Sequence, residues 1–507
     1  MSIARLLQPP SSRAGLTDRA DIFLGCLAAV IGTAAWVAYY RADLVLSHYD
    51  AKAHLVVARR VIDNLTPGWQ QVGAVWLPLP HLLLLLPVQN DLLYRTGLAG
   101  TGISLVCLGL AAYAIARFVR LATGSRPGAV VGVALFVLNP NLLYLATTPM
   151  TEPLLLATTL LVLMGLAAWI ESDSEAPPRW LPVLVFLTAW TRYEAWFVLA
   201  VAGILTALVM WSRGIGWNRL ARRATAYAAP AILAALIFVV ESRITVGQWF
   251  VSDGFFVPDS TYAGRAGAVI TAILDGTIGL STHVLVYAAM TSVFVALALA
   301  RTRSEARTAL VSLALFAAAA LPFAAFYDGH PFRIRYMTPL VAACALWCGL
   351  LVGRLRGRVA WTAAVLIVGL CVVPTPPWDA RAAMVREAQL DRPNSLARRA
   401  VSACLSRGYR GEKILTSMGS LAHYMQELSW QGLALHDFVH EGNGVIWDLV
   451  LETGPAPHVG WMLVEEVAEG GDVLAQRIRT DPSFTRGMQR VCESGGVALY
   501  KRSSPES

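Results

Sequence analysis

Of 507 residues, 56% are apolar and 15% are charged, and the mean hydropathy is +0.55. Soluble globular chains carry roughly 45–50% apolar and about 25% charged residues, so an ordinary cytosolic enzyme is excluded. A disordered chain, which needs low hydrophobicity and high charge, is excluded as well. The net charge of +8 rests on 41 basic residues, of which only Lys52, Lys413 and Lys501 are lysines. Arg beside membrane spans sets topology, so this balance does not call for nucleic acid, and no nucleic-acid partner is expected. An Arg- and Ala-rich, Lys-poor chain is associated with GC-rich bacterial genomes.

Apolar runs of about 20 residues mark membrane helices. They fall near 23–40, 98–116, 128–146, 150–170, 180–193, 195–211, 226–241, 276–300, 308–326, 335–353 and 358–374. The fold class expected is an α-helical polytopic membrane protein with about eleven spans. The first run follows 22 residues with five charges and has no small-residue cleavage site, so it reads as an uncleaved span. With a cytoplasmic N-terminus, the inside segments 1–22, 117–127, 171–180, 212–225, 301–307 and 353–358 carry 17 Arg, against about ten Lys+Arg in the longer outside segments up to the last span. That asymmetry supports a multi-pass protein of the bacterial cytoplasmic membrane with its N-terminus inside and its C-terminus outside.

Two outside regions are large. The loop 41–97 reads as a helix from Asp50 to about Leu65, with Ala53, Val56, Val57, Val61 and Leu65 on one side, stopped by Thr66-Pro67-Gly68. Trp76–Pro87, with prolines at 78, 80 and 87, is too short to span and reads as an interfacial helix. After Pro374-Thr375-Pro376-Pro377 the composition turns soluble, so 1–374 is read as the transmembrane domain and 375–507 as an outside α/β domain. Its strand-like runs are 413–415, 461–464 and 497–500, and its helical stretches Ser420–Leu428 and Asp472–Arg479. Cys404 and Cys492 both lie in this domain, where a disulfide is one option and two buried thiols the other.

Ionisable residues near membrane depth are costly and therefore candidates for function. They gather at the outside ends of the predicted helices. Asp50 and His54 are four apart on one face, with Arg59 a turn further; Asp50 equally suits a helix N-cap. Glu152 opens a helix in Thr151-Glu152-Pro153, where an acid also suits the dipole. Thr191-Arg192-Tyr193-Glu194 marks an outer bend between two short helices, in which Arg192 either pairs with Glu194 or clamps a phosphate. His330, Arg333, Arg335 and Tyr336 precede another span, as phosphate ligands or as snorkelling interfacial residues.

These motifs, in this order and on one side, resemble the GT-C superfamily of integral membrane glycosyltransferases. The resemblance is to the bacterial branch related to protein O-mannosyltransferases and lipid A aminoarabinose transferases. It rests on His48-Tyr49-Asp50, Thr151-Glu152-Pro153, Thr191-Arg192-Tyr193-Glu194, and Arg335-Tyr336 followed by Pro339. It implies a GT-C-like fold, a polyprenyl-phosphate-sugar donor, a base at or beside the acid of the first loop, and outside C-terminal domains in some relatives. Several relatives show two adjacent acids in the first loop; here Asp50 is followed by Ala51, which departs from a two-acid or metal-binding site.

The chemistry expected is therefore an inverting transfer of a hexosyl or pentosyl group. Asp50 is the base, Arg192, Arg333 and Arg335 hold the donor phosphate, and His54, Arg59, Glu152, Glu194, His330 and Tyr336 support them or the acceptor. Partners are the lipid-linked donor, membrane lipid and an acceptor among envelope lipids, glycans or proteins. No cofactor is indicated, and the His spacing suggests no metal site, although a divalent metal stays open. The alternatives are a lipid-diphosphate glycan ligase or polymerase, and a non-catalytic membrane transporter.

Overall fold

The computed structural model describes residues 19–172, 174–251, 258–300, 304–468 and 471–503. The N-terminal 18 residues and 301–303, which enter the charge count above, lie outside the described residues. Eight described helices are long and apolar enough to cross a membrane, and four more apolar helices have 10–17 residues. The protein is a multi-pass membrane protein. Its contacts divide it into two compact units, residues 1–41, 102–240 and 258–386, and residues 42–101, 241–257 and 387–507.

In chain order the helices begin with α1 (Arg19–Arg41), then α2 (Tyr49–Arg59), α3 (Leu79–Leu84), α4 (Asp91–Thr96) and α5 (Leu98–Thr123). α1 buries one charge: Asp21 is fully buried and lies 3.2 Å from Arg120 and 3.7 Å from Arg117 of α5. The run expected at 128–146 is two helices, α6 (Arg126–Val137) and α7 (Pro140–Leu145). Asn139 breaks it: its Oδ1 accepts from the amides of Asn141 and Leu142, and Pro140 takes the first helical position. α8 (Glu152–Ser172), α9 (Trp180–Ala189) and α10 (Glu194–Ser212) follow, with a bend at 190–193 as the sequence predicts. α11 (Trp217–Val246) leads to α12 (Ala266–Gly279) and α13 (His283–Ala300). The run at 276–300 is therefore also divided, and α12 is a helix the hydropathy reading does not resolve. The break is held by Asn139 and Asn141, whose side-chain amides donate to the carbonyl of Leu280 at 2.8 and 3.0 Å.

The run at 308–326 combines α14 (Ser304–Leu310), a 3-10 stretch and α15 (Ala320–Tyr327); α16 (Thr338–Gly353) and α17 (Gly357–Val372) complete the apolar series. α8 and α16 are almost wholly buried, whereas α1 and α11 expose most of their apolar windows, as helices facing lipid do. α16 lies against α6 at backbone contact: a Cβ on Gly128 would stand 2.6 Å from the Gly349 carbonyl oxygen and 2.6 Å from Cα of Gly353. Small residues permit that approach.

The tail contributes α18 (Ala383–Gly408), α19 (Met418–Leu428), α20 (Val445–Thr453) and α21 (Val473–Thr480) around a sheet of β1 (Ile414–Thr416), β2 (Phe438–Val439), β3 (Trp461–Glu465), β4 (Met488–Ser494) and β5 (Val497–Arg502). The strand order is β2-β1-β3-β5-β4, with β1 parallel to β2 and β3 and the rest antiparallel. Leu415, Val439, Met462, Val464, Leu474, Phe484 and Ala498 form its core. The three predicted strands are β1, β3 and β5. β2, with two residues, and β4, an exposed edge rich in polar residues, carry no apolar run to betray them. Cys404 of α18 and Cys492 of β4 form a disulfide.

Candidate functional site

In the first unit, the polar motifs converge on one cluster. Thr151 closes the turn before α8, and its carbonyl accepts the amide of Leu155. Glu152 and Pro153 then form the first helical turn, and Glu152 is 1% exposed. Arg192 projects from the bend between α9 and α10. Its Nη1 donates to Thr151 Oγ1 at 2.8 Å and lies 3.0 Å from Glu152 Oε1. Its Nε and Nη2 donate to Glu194 at 3.1 and 2.8 Å, and Glu194 is 2% exposed. Arg335 sits in the 3-10 turn before α16, with Nε 3.4 Å from Glu152 Oε1. The ring of Tyr336 lies within cation–π range of both arginines, at 5.7 Å and 6.0 Å.

Glu152, Arg192, Glu194 and Arg335 thus form one network of two cations and two anions at the ends of apolar helices. The pairing of Arg192 with Glu194, one of the two options left by the sequence, is realised; Glu152 and Arg335 joining them is what spacing did not show. His330 faces Tyr336 at 5.7 Å between ring centres, its Nδ1 2.8 Å from the Pro331 carbonyl oxygen. Arg333 is half-buried one residue before the turn that carries Arg335.

In the second unit, α2 carries the first-loop acid. Asp50 is half-buried in the first turn, and the N-cap position belongs to His48, so the capping reading of Asp50 does not hold. The helix ends at Arg59 rather than near Leu65, because 60–66 turns away to bind the tail. Asp63 accepts from Arg59 Nε at 3.1 Å, from the backbone amides of Leu435 and His436, and from His436 Nδ1 at 2.7 Å. Asn443 Nδ2 donates to Asn64 Oδ1 at 2.7 Å, and Gln71 Nε2 to the Gly442 carbonyl at 2.7 Å.

The one-sided amphipathic reading also gives way. Every residue from Ala51 to Ala58 is buried, among them Lys52 and His54. His54 Nδ1 lies 3.1 Å from His81 Nε2, and its ring is 4.3 Å from that of Trp76. Arg59 pairs with Asp63 and, at 2.7 Å, with Asp91, and stacks over Tyr94. The stretch 76–87 is only partly helical: α3 covers six residues, with Leu79, Pro80, His81 and Leu84 buried. Burial acts on this unit's histidines: it pushes His81 and His423 well below the ordinary imidazole range, with neighbouring cations adding to it. Lys52, His423 and His440 are buried polar residues of this unit that no sequence motif marks. The one available signal was the rarity of lysine, which made Lys52, two residues from Asp50, conspicuous.

Among the described residues, no group of three or more His, Cys, Asp or Glu is placed to hold a metal ion. No family model matches this chain, and no curated protein matches its sequence. Solved structures do match. ArnT from Cupriavidus metallidurans, crystallised in the apo state, superposes with a TM-score of 0.54 at 13% identity, over 92% of this chain and 98% of that one. The chain has an ArnT-like fold. An oligosaccharyltransferase of Archaeoglobus fulgidus, crystallised with zinc and sulfate, matches with a TM-score of 0.46 at 12% identity over 87% of this chain and 68% of that one. The fold agreement with ArnT extends into the C-terminal sheet domain, since almost the whole of both chains is covered.

Proposed function

We propose that the protein is an inverting glycosyltransferase that moves a sugar from a polyprenyl-phosphate donor to an acceptor hydroxyl at the outer face of the bacterial cytoplasmic membrane, with its N-terminus inside. The observation that carries this reading is the buried Glu152–Arg192–Glu194–Arg335 network in a GT-C-like body. Charges are placed at the ends of apolar helices at a cost, and such placement marks function by default. In the reaction the acceptor oxygen attacks the anomeric carbon, the bond from that carbon to the phosphate oxygen breaks, and polyprenyl phosphate leaves. Asp50 takes the acceptor proton. Arg333 and Arg335 neutralise the leaving phosphate. Arg192, already committed to Thr151, Glu152 and Glu194, contributes its charge through the network. Tyr336 and His330 border the arginines, and His54 and Arg59 support the helix that bears Asp50.

The test is turnover by the purified full chain in nanodiscs with a panel of radiolabelled polyprenyl-phosphate sugars and extracted envelope lipids as acceptors. Asp50→Asn is expected to abolish transfer while donor binding persists. Arg335→Ala is expected to weaken donor binding. Transfer by Asp50→Asn at the wild-type rate, or absence of binding and turnover with every monophosphate donor, would overturn the proposal.

A further inference from the structure

Helix α2 has 11 residues, too few to be stable by itself, and its buried side chains from Ala51 to Ala58 include three alanines and two valines. Such an apolar surface fixes depth better than rotation. Rotation is set by polar contacts: some stay within residues 42–101, such as those of Arg59 with Asp63 and Asp91 and of His54 with His81, and the others lead to the tail. At the first turn, Tyr49 Oη donates to the Gly419 carbonyl of α19 at 2.6 Å. Two residues past Asp50, Lys52 Nζ pairs with Glu427 of α19; Lys52 is 5% exposed. At the far end, Arg60 donates through Nε to the Gln71 carbonyl at 2.5 Å and meets Met418 Sδ. Glu427 is also the partner of Arg398 Nε of α18, at 3.2 Å. One carboxylate therefore joins three helices and balances two cations. Residues two apart on a helix point about 200° apart, so the Lys52 anchor holds the side of α2 opposite Asp50 and leaves the Asp50 side clear of that anchor.

We propose that Glu427 is a positioning residue for Asp50: by pairing with Lys52 and Arg398 it locks the rotation of α2 and so aims the first-loop carboxylate. The tail is then part of the catalytic apparatus rather than an appendage. This inference rests on the reading of Asp50 as the base. Burial lowers the Lys52 ammonium below its ordinary value while Glu427 opposes that fall, so loss of Glu427 lowers it further.

The experiment compares wild type, Glu427→Gln, Lys52→Met and the double variant as full chains in nanodiscs. Two readouts are taken: transfer kinetics and hydrogen exchange of the α2 amides. A displacement of about 1 Å at a reacting group costs on the order of a hundredfold. Each single variant is therefore expected to lower kcat about ten- to a hundredfold, with the donor KM essentially unchanged. The double variant should be no worse than the worse single one, and α2 should exchange about tenfold faster. Unchanged exchange in Glu427→Gln, kcat losses that multiply in the double variant, or a loss confined to KM would overturn the proposal. If Glu427→Gln does not fold, Tyr49→Phe removes one tether without burying a charge, and the same pattern on a smaller scale is expected of it; its absence would overturn the proposal too. Exchange does not depend on turnover, so wild-type transfer by Asp50→Asn would remove the base assignment while the exchange result still decides whether Glu427 holds α2.

Discussion

Arg192→Ala provides the sharpest test of the buried network. The substitution strands Glu194, 2% exposed, without its bidentate partner and takes from Glu152, 1% exposed, the nearer of its two arginines. Removing one member of a buried ion pair costs about 3–5 kcal/mol, because the remaining charge stays out of water. Arg335 still stands 3.4 Å from Glu152, so the lower half of that range is expected. At about 2–4 °C per kcal/mol for a large domain, the thermal midpoint falls by roughly 6–16 °C. Arg192→Lys keeps the charge but cannot span Glu194 and Thr151 with one planar fork, and it should lie between wild type and Ala. A triple variant, Arg192→Met with Glu152→Gln and Glu194→Gln, removes the stranded charges and should recover part of the loss. The assay is intrinsic-fluorescence melting of the detergent-purified protein, with size exclusion to verify the folded fraction. An Arg192→Ala midpoint within about 2 °C of wild type, or a triple variant less stable than the single one, would refute the reasoning.

Burial pushes His440 down to about 3, and Arg60 adds to the effect. Its folded value lies below the unfolded one near 6.5, so its contribution is whole above about pH 6.5 and is lost as pH falls, by roughly 3 kcal/mol at pH 4.5. Burial raises Asp472 to about 6, which gives the opposite slope, a loss as pH rises from about 4 to 6. The difference in melting between wild type and His440→Asn across pH 4.5–7.5 isolates the histidine, and parallel curves would contradict the assignment. The Cys404–Cys492 disulfide closes 88 residues of sequence; Cys492→Ser should cost the tail about 2–4 kcal/mol, seen as faster limited proteolysis of the tail. Gly128→Val places side-chain atoms against the backbone of α16 at Gly349 and Gly353, which cannot yield as a flexible side chain would. A loss of at least about 1–3 kcal/mol is expected, read as a lower melting midpoint.

The apolar body was legible because hydropathy reports burial in lipid directly. The bend at Arg192 and the start of α8 at Glu152 were legible because each interrupts an apolar run with charge. What hydropathy does not report is a break made by neutral polar groups. Asn139-Pro140 starts α7 with a cap that lies inside an apolar window, and Leu280, past the end of α12, offers its carbonyl to asparagines 139 and 141 residues earlier. The meeting of Glu152, Arg192 and Arg335 is likewise a tertiary event between sites 40 and 183 positions apart. In the second unit the amphipathic pattern of α2 misled because it assumes one wet side. Lys52 is instead buried on Glu427, a residue 375 positions away.

The second unit is assembled from chain made at different times. Residues 42–101 leave the ribosome early and residues 387–507 late, with 102–386, which include 241–257 of the same unit, between them. At about 5–20 residues per second that interval is roughly 15–60 s. Throughout it, Lys52, Asp63 and Asn64 lack the tail partners Glu427, His436 and Asn443, which are not yet synthesised. The early segment thus waits for the tail before Lys52 and Asp63 gain their partners there. A chain stopped before the tail would insert its helices and still present that unfinished segment to quality-control proteases.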